Sequence, residues 1–175
     1  MKAYQFVFMT MILLGLAACQ GSSKKEETTQ DKPSTGLSAT AQKNLDQIRK
    51  FHEFFVTGDV NIISDVIAVG AIDHSAPGEP LVANNMDTVK AYFTKLRSLF
   101  TDSKMTLLHE WADDEYVVQW GSFSGTSADP ASGVPVGQKV ENMLEVHISK
   151  MKDGKTIEHW SFNQISDLMK FMGPK

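Results

Sequence analysis

The side chains that could do chemistry here are scattered histidines, carboxylates and aromatics rather than one dense motif. His74, His109, His147 and His159 could ligate a metal. No two of them have the i, i+4 helical spacing of a zincin site, and no carboxylate partner is set by spacing, so the expectation is no metal and no cofactor. Glu145 and His147 alternate onto one strand face and could form a dyad. Their neighbours Leu144, Val146 and Ile148 look core-facing, which sends the dyad outward and leaves Asn142 as the inward polar residue of that strand. His74 sits at a strand end beside a Gly/Pro loop, where sites concentrate. It is the candidate acid/base and a candidate ligand contact. Trp160, in the run Gly154-Lys155-Thr156-Ile157-Glu158-His159-Trp160, gives aromatic area beside polar groups, as a pocket wall does. Trp111 and Trp120 line a pocket or pack the core. There is no Ser-His-Asp order, phosphate loop or dinucleotide glycine pattern.

The elements that must position these residues begin after a leader. The chain has 175 residues, 42% of them hydrophobic, and a formal net charge of -4. That is a globular composition, with length for one domain. The mild acidity excludes a nucleic-acid partner, which needs a basic face. The one cysteine excludes an intrachain disulfide and a cysteine-based zinc cage. Lys2 and the apolar run Phe6–Ala18 read as a signal peptide over 1–18, too short for a transmembrane span. The run closes Leu16-Ala17-Ala18-Cys19, which resembles a bacterial lipobox, so Cys19 is the expected lipidation site. Palmitate-type acyl chains would anchor it at about 0.8 kcal/mol per buried methylene. Gln20, not Asp, follows, which resembles sorting to the outer membrane of a bacterial envelope. Residues 19–36 contain no large apolar side chain and read as a tether, unable to offset chain entropy by burial. The folded domain is expected over 37–175.

Its first helix is expected to start at Ser38 or Thr40, with Leu45, Ile48, Phe51 and Phe55 as the buried stripe and Gly58 as the stop. A short helix over Asn61–Ile67 ends at Gly70. Ala71–Ser75 is extended and Ala76–Pro80 is loop. A third helix, capped by Asn85 or Asp87, is expected to bury Val89, Tyr92, Phe93, Leu96, Leu99 and Phe100. Alternation then predicts strands over Lys104–Trp111, Glu115–Thr126 and Gln138–Lys150, and the closing one from Lys155. Met105, Leu107, His109 and Trp111 are expected on one face of the first of these. A short C-terminal helix carries Ile165, Leu168, Met169 and Met172. Helices before long antiparallel strands mean an α+β domain. The expected form is a cone-shaped curved antiparallel sheet wrapped around three N-terminal helices.

Several segments in this order carry a family resemblance. They are Ile72-Asp73-His74-Ser75-Ala76-Pro77, Leu96-Arg97-Ser98-Leu99-Phe100, Tyr116–Trp120 followed by Ser124-Gly125-Thr126, Pro135–Glu141, and Gly154–Trp160. Together they resemble a SnoaL-like polyketide (ester) cyclase domain, of the nuclear transport factor 2-like superfamily. The resemblance implies a pocket between sheet and helices for a small apolar molecule, and a possible homodimer through the outer sheet face. Family cyclases carry an aspartate about four residues after the strand tryptophan. That position is Gln164 here, and a carboxamide cannot exchange a proton near neutral pH. The lipobox, the resemblance and that amide together lead to the expectation of a membrane-anchored domain whose ligand contacts are His74, Trp120, Asn142, Trp160 and Gln164. The alternatives are a cyclase, isomerase or hydratase using His74 or a displaced carboxylate such as Asp167, expected at solvent, and an envelope protein-interaction module.

Overall fold

The computed structural model describes residues 36–75, 79–164 and 166–167. The expected signal peptide, Cys19 and almost all of the tether lie outside them, as do Ile165, Leu168, Met169 and Met172 of the C-terminal helix. The described residues form one compact unit within Ser34–Lys175.

Helix α1 spans Ala39–Thr57. Ser38 caps it by accepting the Ala41 N–H at 2.9 Å. Gly58, at φ 77°, closes it and donates its N–H to Phe54 O. Leu45, Ile48 and Phe54 are buried, whereas Phe51 and Phe55 are only half-buried. Phe54, outside the expected stripe, is the helix's most buried large apolar residue at 1% exposure. Helix α2 (Asn61–Val66) adds Ile62, Ile63 and Val66 to the same core. Strand β1 (Ile67–Asp73) follows without a break. Gly70 does not stop the chain: at φ 83° it absorbs a bulge, and its N–H bonds Ala83 O at 2.9 Å. Strand β2 is only Leu81–Val82. Helix α3 (Met86–Ser98) starts at Asn85, whose side chain accepts from Asp87 and Thr88 N–H. Arg97 near its end donates from Nε to Phe55 O at 3.0 Å, tying α3 to the end of α1. Phe93 meets Phe51 edge-on, with centroids 5.2 Å apart.

Four long strands complete the domain: β3 (Phe100–Ala112), β4 (Tyr116–Ser127), β5 (Lys139–Lys152) and β6 (Lys155–Asn163). The sheet order is β2-β1-β6-β5-β4-β3. All pairings are antiparallel except β1 with β6, which is parallel. The sheet is thus mixed where a wholly antiparallel one was expected, because β1 and β6 are joined through the rest of the chain and not by a hairpin. Asp153 (φ 55°) and Gly154 (φ 80°) make the two-residue turn between β5 and β6, which matches strand twist when both φ values are positive. Register shifts occur in β1, twice along β3, between β4 and β5, and between β5 and β6. Each bends the sheet around the helices. The result is the α+β, curved-sheet arrangement that the sequence predicts, with helices on the concave face.

Candidate functional site

The concave face is defined by β4. Val117 lies in the core under α1 and α2, and Gln119 reaches His52 of α1. Directly paired residues share a face. Gln119 pairs His147, Gly121 pairs Glu145, and Phe123 pairs Met143. Across β5 and β6, His147 pairs Ser161 and Ser149 pairs His159. Asp73 of β1 pairs His159. Asp73, His159, His147 and Glu145 therefore all point to the helix side.

They meet there as a chain. His159 Nδ1 lies 3.0 Å from Asp73 Oδ1. His159 Nε2 lies 3.2 Å from His147 Nδ1, and the two rings stack 17° from parallel. His147 Nε2 lies 3.3 Å from Glu145 Oε1, an ion-pair contact. Ser75 adds its backbone N–H to Asp73 Oδ1 at 2.9 Å and its Oγ 3.4 Å from His159 Nδ1. The two carboxylates are 18% and 14% exposed, and the two imidazoles 28% each. All four groups thus keep some exposure, the imidazoles more than the carboxylates. Burial pushes the Asp73 carboxyl up, but the His159 and Ser75 hydrogen bonds and the His159 charge outweigh it and hold its pKa low. Tyr92 of α3 is raised by burial first and by the Asp73 charge second, which places it toward the same end of the chain.

A second network holds the floor. Gln119 is 2% exposed. Its Oε1 is 2.8 Å from His52 Nε2, and its Nε2 donates to Glu110 Oε1 at 2.7 Å. Arg49 of α1 donates to Glu110 Oε2 from Nε at 3.0 Å and from a terminal nitrogen at 2.8 Å. Burial pushes Glu110 up, but the Arg49 and Gln119 hydrogen bonds hold it low. Beside this polar half, Met105, Phe123 and Met143 pair across three strands, and Phe100 meets Phe123 edge-on at 5.0 Å. The concave face thus joins an apolar wall to an acid/base chain.

The sequence-predicted residues fall elsewhere. His74 is exposed and stacks on Trp160, 4.8 Å between centroids and 6° from parallel. Trp160 pairs Ile148 on the convex face, with His74 Nε2 3.3 Å from Glu158 Oε2 and Lys150 Nζ 3.1 Å from Glu158 Oε1. Trp120 is convex too, opposite His109, whose ring stacks between Trp120 and Trp111. Asn142 is exposed at φ 51° in a bulge, its N–H bonded to Ser124 Oγ at 3.0 Å. That bulge corrects the expected parity of β5. Phe123 pairs Met143 while Gly125 pairs Val140, so Val140 and Met143 share a face although three residues apart. Leu144, Val146 and Ile148 turn outward in consequence, and the Glu145–His147 dyad turns inward. The extra residue in β3 does the same: Leu107 pairs Gly121 but His109 pairs Trp120, which splits the expected Met105–Leu107–His109–Trp111 face.

Gln164 is exposed, with its Nε2 2.6 Å from Ser166 Oγ. Trp120 and Gln164 do share a groove of about 340 Å³ with Leu144, Glu145, Val146, Phe162 and Asn163, so it borders the Glu145 end of the histidine chain. Asp167 is not at solvent: it is 7% exposed and accepts the Leu144 N–H at 3.3 Å. Its place is to hold the chain after β6 against β5. Sequence reading missed Asp73, His159 and Gln119 as one site. Val117, Gln119 and Gly121 were on one face by alternation, and that face led to the others only through the register.

A family model described as SnoaL-like polyketide cyclase matches residues 45–171. No curated protein matches the sequence. Among solved structures, a candidate SnoaL-like polyketide cyclase from Jannaschia sp. CCS1 superposes with a TM-score of 0.68 at 17% identity, covering 81% of this chain and 100% of that one. A candidate polyketide cyclase from Streptomyces antibioticus gives 0.58 at 23% identity, covering 75% and 99%. An LEH-like epoxide hydrolase from M. tuberculosis gives 0.59 at 8% identity, covering 75% and 90%. At these identities the likeness is one of fold, the nuclear transport factor 2-like cone.

Proposed function

The chain belongs to the SnoaL-like polyketide cyclase family, and from that premise we propose that its concave face binds an uncharged small molecule with an apolar body and exchanges protons with its carbonyl or enol end. The observation that carries this reading is the chain Asp73–His159–His147–Glu145 beside the apolar wall of Met105, Phe123 and Met143. Histidine is the side chain best suited to proton transfer near neutrality. With the family's carboxylate position occupied by Gln164, the acid/base work passes to this chain in place of His74. Asp73 and Glu145 bring two negative charges, and the nearby Arg49 is committed to Glu110. An anionic ligand is disfavoured by that balance. The relatives' names support cyclase-type or hydrolase-type chemistry, and the geometry supports proton transfer to and from a carbonyl compound.

Fluorescence titration with 1-naphthol, an enol mimic, against 1-naphthoate tests the reading. Naphthol is expected to bind and naphthoate to bind at least tenfold more weakly. His159→Gln is expected to weaken naphthol severalfold, while His74→Ala leaves it unchanged. Equal binding of both probes, or loss of binding only in His74→Ala, sinks the proposal.

The domain is proposed to work at the bacterial cell envelope, outer membrane included, through acylated Cys19, a reading supported by Leu16-Ala17-Ala18-Cys19. A homodimer through the convex sheet face is a second proposal. It is favoured by the exposure there of Trp111 (54%), Trp120 (36%) and Phe162 (56%), more aromatic surface than a lone sheet face usually leaves to water.

A further inference from the structure

Hydrogen-bond accounting along the histidine chain goes further than its composition. His159 Nδ1 faces the Asp73 carboxylate and therefore carries a proton. His147 Nε2 faces Glu145 Oε1 at 3.3 Å, and a carboxylate there draws a proton onto that nitrogen as well. The two remaining nitrogens, His159 Nε2 and His147 Nδ1, face each other at 3.2 Å. Two lone pairs at that distance repel, and so do two N–H groups. One proton between them satisfies both. Two imidazoles then carry three ring protons and one positive charge, between two negative carboxylates.

We propose that Asp73, His159, His147 and Glu145 are a single proton-sharing unit: the rings hold one mobile proton between them, and the carboxylates are its two exchange points. This rests on the reading that the concave face is a proton-transfer site, and it adds which atoms exchange. The ring nitrogens are all engaged within the unit. The His159, Ser75 N–H and His147 contacts fall on Asp73 Oδ1 and Glu145 Oε1, so the relay itself does not use Asp73 Oδ2 or Glu145 Oε2. A bound molecule exchanges with those two oxygens. It can lose a proton to one carboxylate while the other delivers one, and neither has to move.

The step balances without an oxidant or co-reactant. A C–H or O–H bond of the ligand breaks, its electron pair stays on the ligand, and Glu145 Oε2 gains the proton. The central proton settles on His159 Nε2, and the His159 Nδ1 proton passes to Asp73. Asp73 then gives a proton to a second ligand atom, where a new bond to hydrogen forms. One proton enters and one leaves; Glu145 then returns its proton to water, and Asp73 takes one from water and passes it to His159 Nδ1, which restores the three ring protons. The ligand class that follows is an uncharged carbonyl compound with two separated proton-exchanging atoms, transposing a proton between them. The other groups facing the unit are compatible with one shared charge. Ser75 stabilises the Asp73 end, Tyr92 of α3 is a neutral phenol toward it, and Gln119, paired to His147 across β4 and β5, is saturated by His52 and Glu110, whose charge Arg49 answers.

Nitrogen-15 NMR of the full chain labelled at histidine, at neutral pH, tests the unit without any ligand. His147→Gln and His159→Gln give the assignments. Three ring N–H protons are expected on the two rings, the middle one coupled to nitrogens of both residues. In Glu145→Gln the count is expected to fall to two, since the charge that holds the third proton is gone. Two or four ring protons in the unaltered chain overturn the proposal, and so does a count of three in a folded Glu145→Gln. If that variant does not fold, the unaltered chain's count and its coupling across the two rings decide alone. The outcome is separable from naphthol binding: three ring protons, the middle one shared, without binding would retain the unit and sink the ligand reading.

Discussion

At the residue scale, the site depends on side chains that satisfy one another in a semi-buried place. Gln119 is the clearest case, since both ends of its carboxamide are used, by His52 and by Glu110. Gln119→Ala removes both partners at once and opens space in the core. It is expected to cost roughly 1–3 kcal/mol, measured by urea unfolding. A change below a few tenths would mean that water replaces the carboxamide without loss. Asp73 gives a pH dependence whose sign follows from its low folded pKa. The carboxylate is stabilised by His159 and Ser75 in the fold but not in the unfolded chain, so its contribution is present above the unfolded pKa of about 3.9. It is lost as pH falls below that value through the still lower folded pKa. Asp73→Asn is therefore expected to flatten the acid limb of the stability curve, and an unchanged limb would show that the contacts to Asp73 are energetically idle. Residue types pointed only part of the way here. His147 and Glu145 were visible as a pair, but Asp73 and His159 are 86 positions apart. Only the parallel pairing of β1 with β6 brings them together, and no local pattern announces a parallel partner.

At the element scale, alternation was legible and its interruptions were not. The faces of β4 follow the sequence throughout Tyr116–Phe123, and the α1 and α3 caps, Ser38 and Asn85, are where side-chain chemistry puts them. In β5 one extra residue near Asn142 reverses the face of everything from Met143 onward, and in β3 one extra residue near Leu108 does so from His109 onward. A bulge costs the sequence no characteristic residue, whereas a one-residue error moves a whole strand's side chains to the other face. The bulge in β5 is why the Glu145–His147 dyad was expected outward and Asn142 inward, whereas His74 and Trp160 were chosen on their local surroundings, which do not say which face they take. The approach of β3 to β4 sets a tighter requirement at Gly121. A Cβ there would lie 2.9 Å from Thr106 O and 2.8 Å from Met105 Cε. The methyl end of Met105 can swing away, but the backbone carbonyl cannot without shifting the strand. Gly121→Ala is expected to destabilise by about 1–3 kcal/mol and to weaken naphthol binding, because Gly121 pairs Glu145 directly. Thermal unfolding together with the titration checks both, and a variant as stable as the parent would mean that β3 is free to move.

At the scale of the whole molecule, the domain has one face proposed for chemistry and an opposite face that the described helices leave bare. Helices α1–α3 cover the concave side. Among the described residues no helix crosses the convex side, where Trp111, His109, Trp120, Val146, Trp160 and Phe162 lie across four strands. A twofold pairing of two such faces is self-complementary, each copy offering the same apolar patch. The charged group Lys150–Glu158–His74 sits toward one end, where it can stay wet. In that arrangement the pairing and the chemistry are on opposite faces of one sheet, so each can be altered alone. Trp120→Arg combined with Phe162→Arg is expected to turn a dimer into a monomer in sedimentation equilibrium. Charge would be buried without a partner in the pair but remain solvated in the free chain. Naphthol binding is expected to persist, since neither residue faces the histidine chain. A parent chain that sediments as a monomer across its soluble range removes the dimer proposal. Membrane attachment is tested separately by Cys19→Ser. If Cys19 carries the anchor, that chain is expected to leave the membrane fraction while the lipidated parent stays with it. If the dimer also weakens in the soluble variant, confinement at the membrane is what raises the local concentration enough for the convex faces to pair.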